Sequence, residues 1–175
     1  MRLLSQLEKR MIKMSGLLFL MKACGLAFMD VGIKTYIESK FHKGETKNIL
    51  NGKIQIRRVH NKGMAFNVLD HEPELVKTIS CGVTGILTLY YLYVLSKRGS
   101  FIKKVGLTLL VGGAWSNNFD RIFRGYVVDY IGFNSKWDKL NNLTFNLADF
   151  AILIGTDLTT IGELVDSRKR VEEVE

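Results

Sequence analysis

Apolar residues gather along this chain in four long stretches, at about 16–37, 74–96, 102–118 and 143–165, with most of the charge between them. Each stretch approaches the roughly 20 residues that a helix needs to cross a hydrocarbon core. The pattern predicts four spanning helices, so both chain ends lie on one side of the membrane. Residues 1–15 set Arg2, Lys9, Arg10 and Lys13 among Leu3, Leu4, Leu7, Met11, Ile12 and Met14. That spacing fits a basic amphipathic segment lying on the membrane before the first span. A cleaved signal peptide is the rival reading, with Met21-Lys22-Ala23-Cys24 as its site. It is disfavoured because Lys22 sits beside the cleavage point and the apolar run continues past Cys24.

The polar segment 38–73 interrupts this helical pattern. Asn51-Gly52 is a hairpin signal, and Lys53-Ile54-Gln55-Ile56-Arg57 alternates as a half-buried strand does. Asn61-Lys62-Gly63 marks a tight turn. Two readings of it stay open: a loop that closes the sheet, or a loop whose Asn61 amide reaches a substrate backbone. In the second stretch, Gly82 and Gly85 predict close helix contact, and Tyr90, Tyr91 and Tyr93 predict an interfacial aromatic belt. Gly106, Gly112, Gly113 and Ala114 predict tight packing of the third.

Charges inside the apolar stretches are costly and usually face protein or water. Asp30 and Lys34 are four residues apart and share a helix face; a self-neutralising pair explains both. Lys22 and Asp157 lie at similar depth, and two readings of them stand side by side. Either they pair across the first and fourth helices, or Lys22 snorkels while Asp157 meets a hydroxyl of Thr159 or Thr160.

The third stretch turns polar at Asn117, Asn118, Asp120 and Arg121, and a short β-prone run then ends on Asp129. The fourth opens on Phe145-Asn146-Leu147-Ala148-Asp149. Topology therefore places Asp129 and Asp149 at one membrane face. Asn146 and Asp149 share a helix face, as do Asn117 and Arg121 if their helix persists. Two carboxylates a few ångströms apart share one proton. The ionised member can take a proton from water while the other donates to a carbonyl oxygen. The competing reading is that these acids only cap helices or pair with Arg121.

Composition narrows the classes further. The 175 residues include a single Pro and two Cys and carry a net charge of +8. Such basicity raises nucleic acid as a partner, but no reader motif or stacking module accompanies it, so none is expected. Lys and Arg lie mostly between the apolar stretches, where they anchor helices on anionic headgroups. They are denser on the side of the termini, which marks that side as cytoplasmic. Cys24 and Cys81 have no metal or disulfide spacing and read as small buried packing residues. No zinc-protease, serine-hydrolase or nucleotide-loop motif is present, and His42, His60 and His71 lack ligand spacing. No metal or cofactor is expected. Three other readings remain: a non-enzymatic membrane scaffold, a transporter with Asp30, Lys34, Asp129 and Asp149 as an ion path, and a basic soluble nucleic-acid binder.

Five segments in order resemble the bacterial lipoprotein signal peptidases, or signal peptidase II. They are Asp30-x-x-x-Lys34, Asn61-Lys-Gly-Met-Ala-Phe66, Gly112-Gly-Ala-Trp-Ser-Asn117-Asn-Phe-Asp120-Arg121, Gly125-Tyr-Val-Val-Asp129-Tyr-Ile and Phe145-Asn146-Leu-Ala-Asp149. The resemblance implies one all-α membrane domain over residues 1–175, with four transmembrane helices, a small extracytoplasmic β-cradle and cytoplasmic termini. It implies an aspartic endopeptidase of the bacterial inner membrane that cleaves diacylglyceryl-modified prolipoproteins before the lipidated Cys, working as a monomer among membrane lipid. By motif, Asp129 and Asp149 are the catalytic dyad. Asn117, Arg121 and Asn146 order the dyad and the substrate backbone, and Asp30, Lys34, Asn61 and Gly63 fill the remaining site positions. Ser116 stands where the family usually has Gly, which is expected to stiffen a turn before Asn117. The segment 132–144, with Lys136, Trp137, Asp138 and Lys139, departs from the usual loop and is expected to alter substrate access.

Overall fold

The computed structural model describes residues 2–63, 69–137 and 141–172, with side chains from 11 to 168 within them. Helix α1 covers Arg2–Lys40, α2 Pro73–Leu95, α3 Phe101–Phe123 and α4 Leu147–Glu172; strands β1 (Thr46–Ile49), β2 (Ile54–Asn61), β3 (Val127–Phe133) and β4 (Thr144–Phe145) lie between them. Each apolar stretch is thus a helix. At 1.5 Å per residue the 39 residues of α1 run about 58 Å, so the basic N-terminal segment is the first part of this helix rather than a separate element. Side chains of its first ten residues, Arg2, Lys9 and Arg10 among them, lie outside those described, as do those of Lys169 and Arg170. Pro73 opens α2 where a missing N–H costs nothing, and the Ser100 hydroxyl caps α3 by accepting from the Lys103 N–H.

Two helical segments, Met11–Lys40 and Pro73–Leu95, are long and apolar enough to cross a membrane. Helices α3 and α4 carry more charge along their length, with Lys103, Lys104, Asp120 and Arg121 in the one and Asp149, Asp157 and Glu163 in the other. The outward faces carry large apolar side chains: Phe28, Ile86 and Leu89 are each at least 70% exposed, and Leu153 and Leu164 are also exposed. Water would penalise such faces, whereas lipid accommodates them.

Helix α3 is the centre of the bundle and packs on the other three. Glycine makes this possible at the α3–α4 seam. A Cβ on Gly113 would sit 2.6 Å from the Ala148 carbonyl oxygen, and one on Gly155 would sit 2.6 Å from the Leu110 nitrogen. Gly106 and Gly112 are as tightly placed, the latter against α1. The second stretch behaves otherwise: nothing lies within 4 Å of a Cβ on Gly82 or Gly85, so these glycines make no close helix contact. Gly113→Val is expected to cost about 1–3 kcal/mol by overpacking, whereas Gly85→Ala is expected to be neutral or mildly stabilising. Thermal melting in detergent separates the two; equal midpoints would contradict the packing described.

The core between α1, α2 and α3 contains Phe19, Tyr91, Leu107 and Val111. Tyr91 is fully buried there, with its hydroxyl 2.9 Å from Thr108 Oγ1, so it does not belong to an interfacial belt; Tyr90 and Tyr93 are exposed. Cys24, expected to be buried, faces outward on α1, and Cys81 is half-buried. Lys22 and Asp157 are both exposed, and among the described residues neither forms an ion pair. The Lys22 ammonium instead lies 5.8 Å from the ring centre of Phe19, and Thr159 and Thr160 donate to backbone carbonyls of their own helix. Both side chains face outward from the bundle.

The four strands form an antiparallel sheet in chain order. Its β1–β2 hairpin turns through Leu50, Asn51 and Gly52, all with positive φ, as the Asn-Gly pair predicts. Side chains alternate along β3. Val128 and Tyr130 pack on Ile37 of α1, so Asp129 between them points to the opposite face. That alternation turns one carboxylate toward the bundle's polar end.

Candidate active site

Helix α3 continues without a break through Ser116, Asn117 and Arg121 to Phe123. The turn expected before Asn117 is absent, and Ser116 is a fully buried mid-helix residue. Asn117 and Arg121 accordingly share one face, and both line a cavity of about 620 Å³ together with Asn61, Asp129 and Asp149. Val83, Leu87, Leu110 and Leu153 wall the same cavity from α2, α3 and α4.

Asp149 reaches this cavity from the first turn of α4. The Asp149 N–H donates to Asn146 Oδ1 at 2.9 Å, and the Asn146 N–H donates to Asp149 Oδ2 at 2.9 Å. This reciprocal pair is a capping box in which Asn is the cap and Asp its partner. Asp149 therefore does support a helix start, as the plainer reading held, and its other oxygen remains for the cavity side. There Asn117 Nδ2 donates to Asp149 Oδ1 at 2.9 Å.

Asp129 is 3% exposed and held from two sides. Asn146 Nδ2 donates to its Oδ1 at 2.7 Å, and Asn61 Nδ2 donates to its Oδ2 at 3.1 Å. Asn146 thus touches both acids. Burial first, and the nearby Asp149 carboxylate second, push the Asp129 pKa up from the ordinary carboxylate range to about 7, against the two amide hydrogen bonds. The Asn61 amide is oriented by its own turn, since the Gly63 N–H donates to Asn61 Oδ1 at 3.0 Å. Asn61 ends strand β2 of the sheet and lines the cavity. Residues 64–66 of the same motif lie outside those described.

Arg121 does not pair with either acid among the described residues. Its Nη2 donates to the Gly63 carbonyl at 3.3 Å, and its buried Nε has no partner among the described residues. A guanidinium at the cavity wall with an unused donor is suited to a carbonyl oxygen.

Asp30 and Lys34 stand one layer behind, fully buried, with Lys34 Nζ 2.7 Å from Asp30 Oδ2. They are more than a self-neutralising pair. Lys34 also donates to Asn117 Oδ1 at 2.7 Å and to Ser116 Oγ at 3.2 Å, and lies 3.6 Å from Asp120 Oδ2. Asn117 therefore links this buried pair to Asp149. Three further residues belong to the network that motif reasoning did not assign to the site. Ser116 donates to Asp30 Oδ2 at 2.6 Å, the Tyr130 hydroxyl donates to Asp30 Oδ1 at 2.9 Å, and Asp120 accepts from Arg124 and from the Val128 N–H. Burial and then the Asp30 charge hold the Tyr130 hydroxyl above its ordinary pKa, so it stays a donor. Strand alternation supplies a signal for Tyr130, whose side chain takes the face opposite Asp129. For Ser116 the signal is its departure from the Gly usual in the family, with no hint of its partners.

Among the described residues no group of three or more His, Cys, Asp or Glu is arranged to hold a metal ion. His60 meets Glu38 at 3.0 Å and stacks on Tyr126, while Asp138 and Lys139 lie outside the described residues.

A helical bundle with lipid-facing sides, a small sheet and buried acids at one end defines a membrane protein with an enclosed polar site. The fold is similar to that of a bacterial membrane enzyme solved by the in meso method at 2.3 Å resolution, with a TM-score of 0.72 and 26% identity over 85% of this chain and 88% of that one. Lipoprotein signal peptidases are similar in sequence: that of Haemophilus influenzae is 31% identical over 93% of this chain and 95% of its own length. That of Caldicellulosiruptor bescii is 38% identical over 69% and 74%. The family model for signal peptidase (SPase) II matches residues 23–165, and the chain belongs to this lipoprotein signal peptidase family.

Proposed function

We propose that this chain is an intramembrane aspartic endopeptidase that removes the signal peptide from diacylglyceryl-modified prolipoproteins, cutting before the lipidated Cys. Asp129 and Asp149 are its dyad. The observation that carries this is the Asn146 side chain and backbone joining two carboxylates from separate elements at one cavity. The ionised acid takes a proton from a water as that water attacks the scissile carbonyl carbon, and the protonated acid gives its proton to the carbonyl oxygen. The resulting diol collapses as the leaving nitrogen is protonated, and the pair regains its starting state. Arg121, with its unused Nε donor, and the amides of Asn117 and Asn61 hold the substrate backbone. Apolar walls below the acids suit a substrate whose lipid stays in the bilayer, which confines the scissile bond beside the dyad.

In this reading all four helices span the bacterial inner membrane, the termini are cytoplasmic, and the sheet and dyad lie at the outer face. A monomer suffices. The transporter reading instead predicts substrate flux in liposomes with no peptide product. Purified protein incubated with a lipidated precursor tests the proposal, with release of the signal peptide as the readout.

A pH dependence follows from Asp129. A carboxyl with a pKa of about 7 keeps its proton below that value and loses it above. Once Asp129 has ionised it can no longer give a proton to the carbonyl oxygen. At low pH both acids are protonated and water has no base. Turnover is therefore expected to fall on both sides, with the alkaline limb near neutrality. Rates measured from pH 4 to 9 that still climb beyond pH 8 would rule this out.

A further inference from the structure

The side chain at position 116 sits where two buried charges meet the acid pair. Ser116 Oγ donates to Asp30 Oδ2 at 2.6 Å and accepts from Lys34 Nζ at 3.2 Å. An ammonium only donates and a carboxylate only accepts, so the hydroxyl has one orientation. Lys34 then donates to Asn117 Oδ1 at 2.7 Å, which leaves the Asn117 NH2 to face Asp149 Oδ1 at 2.9 Å. A flipped Asn117 amide would turn its donor to the ammonium and its acceptor to the carboxylate.

We propose that Ser116 is a positioning residue: pinned between Asp30 and Lys34, its hydroxyl holds the ammonium on the Asn117 carbonyl oxygen and thereby fixes the amide that serves Asp149. The inference rests on the peptidase reading above. Lys34 has a flexible four-carbon stem, and Asp30 restrains its head from one side only. Asp120 Oδ2, 3.6 Å from the ammonium, pulls it off Asn117 if the restraint is lost. Ser116 supplies the second restraint, next to Asn117 on the same helix.

Two substitutions separate positioning from packing. Ser116→Ala removes the hydroxyl but leaves a methyl in its place, which keeps water out. Ser116→Gly frees about the volume of one water, with Asp30 and Lys34 as its partners. The expected order of kcat is Ser, then Gly, then Ala. Ala is expected to lose on the order of tenfold and Gly about threefold, with KM within about twofold of the unsubstituted protein. The expected order of melting temperature in detergent puts Gly below Ala, because glycine weakens a helix interior. A packing role predicts the same order for both quantities. Ala as active as Ser, or Gly less active than Ala, would overturn the proposal.

A lack of cleavage by the unsubstituted protein would remove the peptidase reading alone. The positioning claim has a readout without activity. Ser116→Ala is expected to lower the melting midpoint less in an Asn117→Ala background than in the unsubstituted chain, because the two residues act through Lys34. Equal drops in both backgrounds would refute the coupling.

Discussion

Asp129→Asn and Asp149→Asn are each expected to reduce cleavage of a lipidated precursor by at least about a thousandfold. In the proposed mechanism each substitution removes one of the two carboxyls, so either the base or the acid is lost from every turnover. Geometry adds to the loss. Asp129 receives donors on both oxygens, from Asn146 and Asn61, and Asp149 receives Asn117 and the Asn146 N–H. An amide has one acceptor oxygen, so its NH2 must oppose one of these donors at either position. Folding is expected to survive, because replacing a buried acid beside another removes repulsion as well as hydrogen bonds. Asp149→Asn still offers an acceptor to the helix cap. The check is signal-peptide release by each purified variant beside its melting curve. Variants that cleave at the unsubstituted rate would show that these two acids do not carry the chemistry.

The second large effect is on stability. Lys34→Met is expected to cost about 3–5 kcal/mol, the usual penalty for breaking a buried ion pair from one side. Lys34 and Asp30 are both at 0% exposure, and Asp120 behind them is also fully buried. Methionine fills similar volume, so cavity formation is not the cause. Asp30 would keep only the hydroxyls of Ser116 and Tyr130, and Asp120 would keep Arg124 and the Val128 N–H. A combined Lys34→Met and Asp30→Leu chain is expected to be less damaged than the sum of its parts, since the second change removes the stranded charge. Melting of the three variants in one detergent measures this. A single Lys34→Met variant with an unchanged midpoint would show that the pair does not stabilise the bundle.

These two effects come from different layers of one construction. The front layer is the acid pair with Asn61, Asn117 and Asn146, whose amide orientations are set by obligate donors. For Asn61 that donor is the Gly63 N–H, for Asn117 the Lys34 ammonium, and for Asn146 the Asp149 N–H. The rear layer of Asp30, Lys34, Ser116, Asp120 and Tyr130 is what holds Lys34 in place. Rear-layer changes are therefore expected to act mainly on stability and kcat, and front-layer changes on chemistry outright.

Local pattern was enough for the helices, because a stretch of some 20 apolar residues has few alternatives near lipid. It was enough for the hairpin at Asn51-Gly52, where backbone sterics choose the turn. It also put Asp129 and Asp149 at one end of the bundle, since chain direction alternates with each helix. Packing partners were a different matter. Gly82 and Gly113 look alike as letters, yet one faces open space and the other Ala148. Tyr91 reads as one of three tyrosines, and only the approach of α3 buries it against Thr108. Lys22 and Asp157 match in depth but face outward. Ser116, Asp120 and Tyr130 join Asp30 and Lys34 across separations of up to 100 residues. Periodicity along one segment determines which face is apolar. Which residue of another segment meets that face depends on how the helices rotate and slide against each other, and that is decided only when the whole bundle closes.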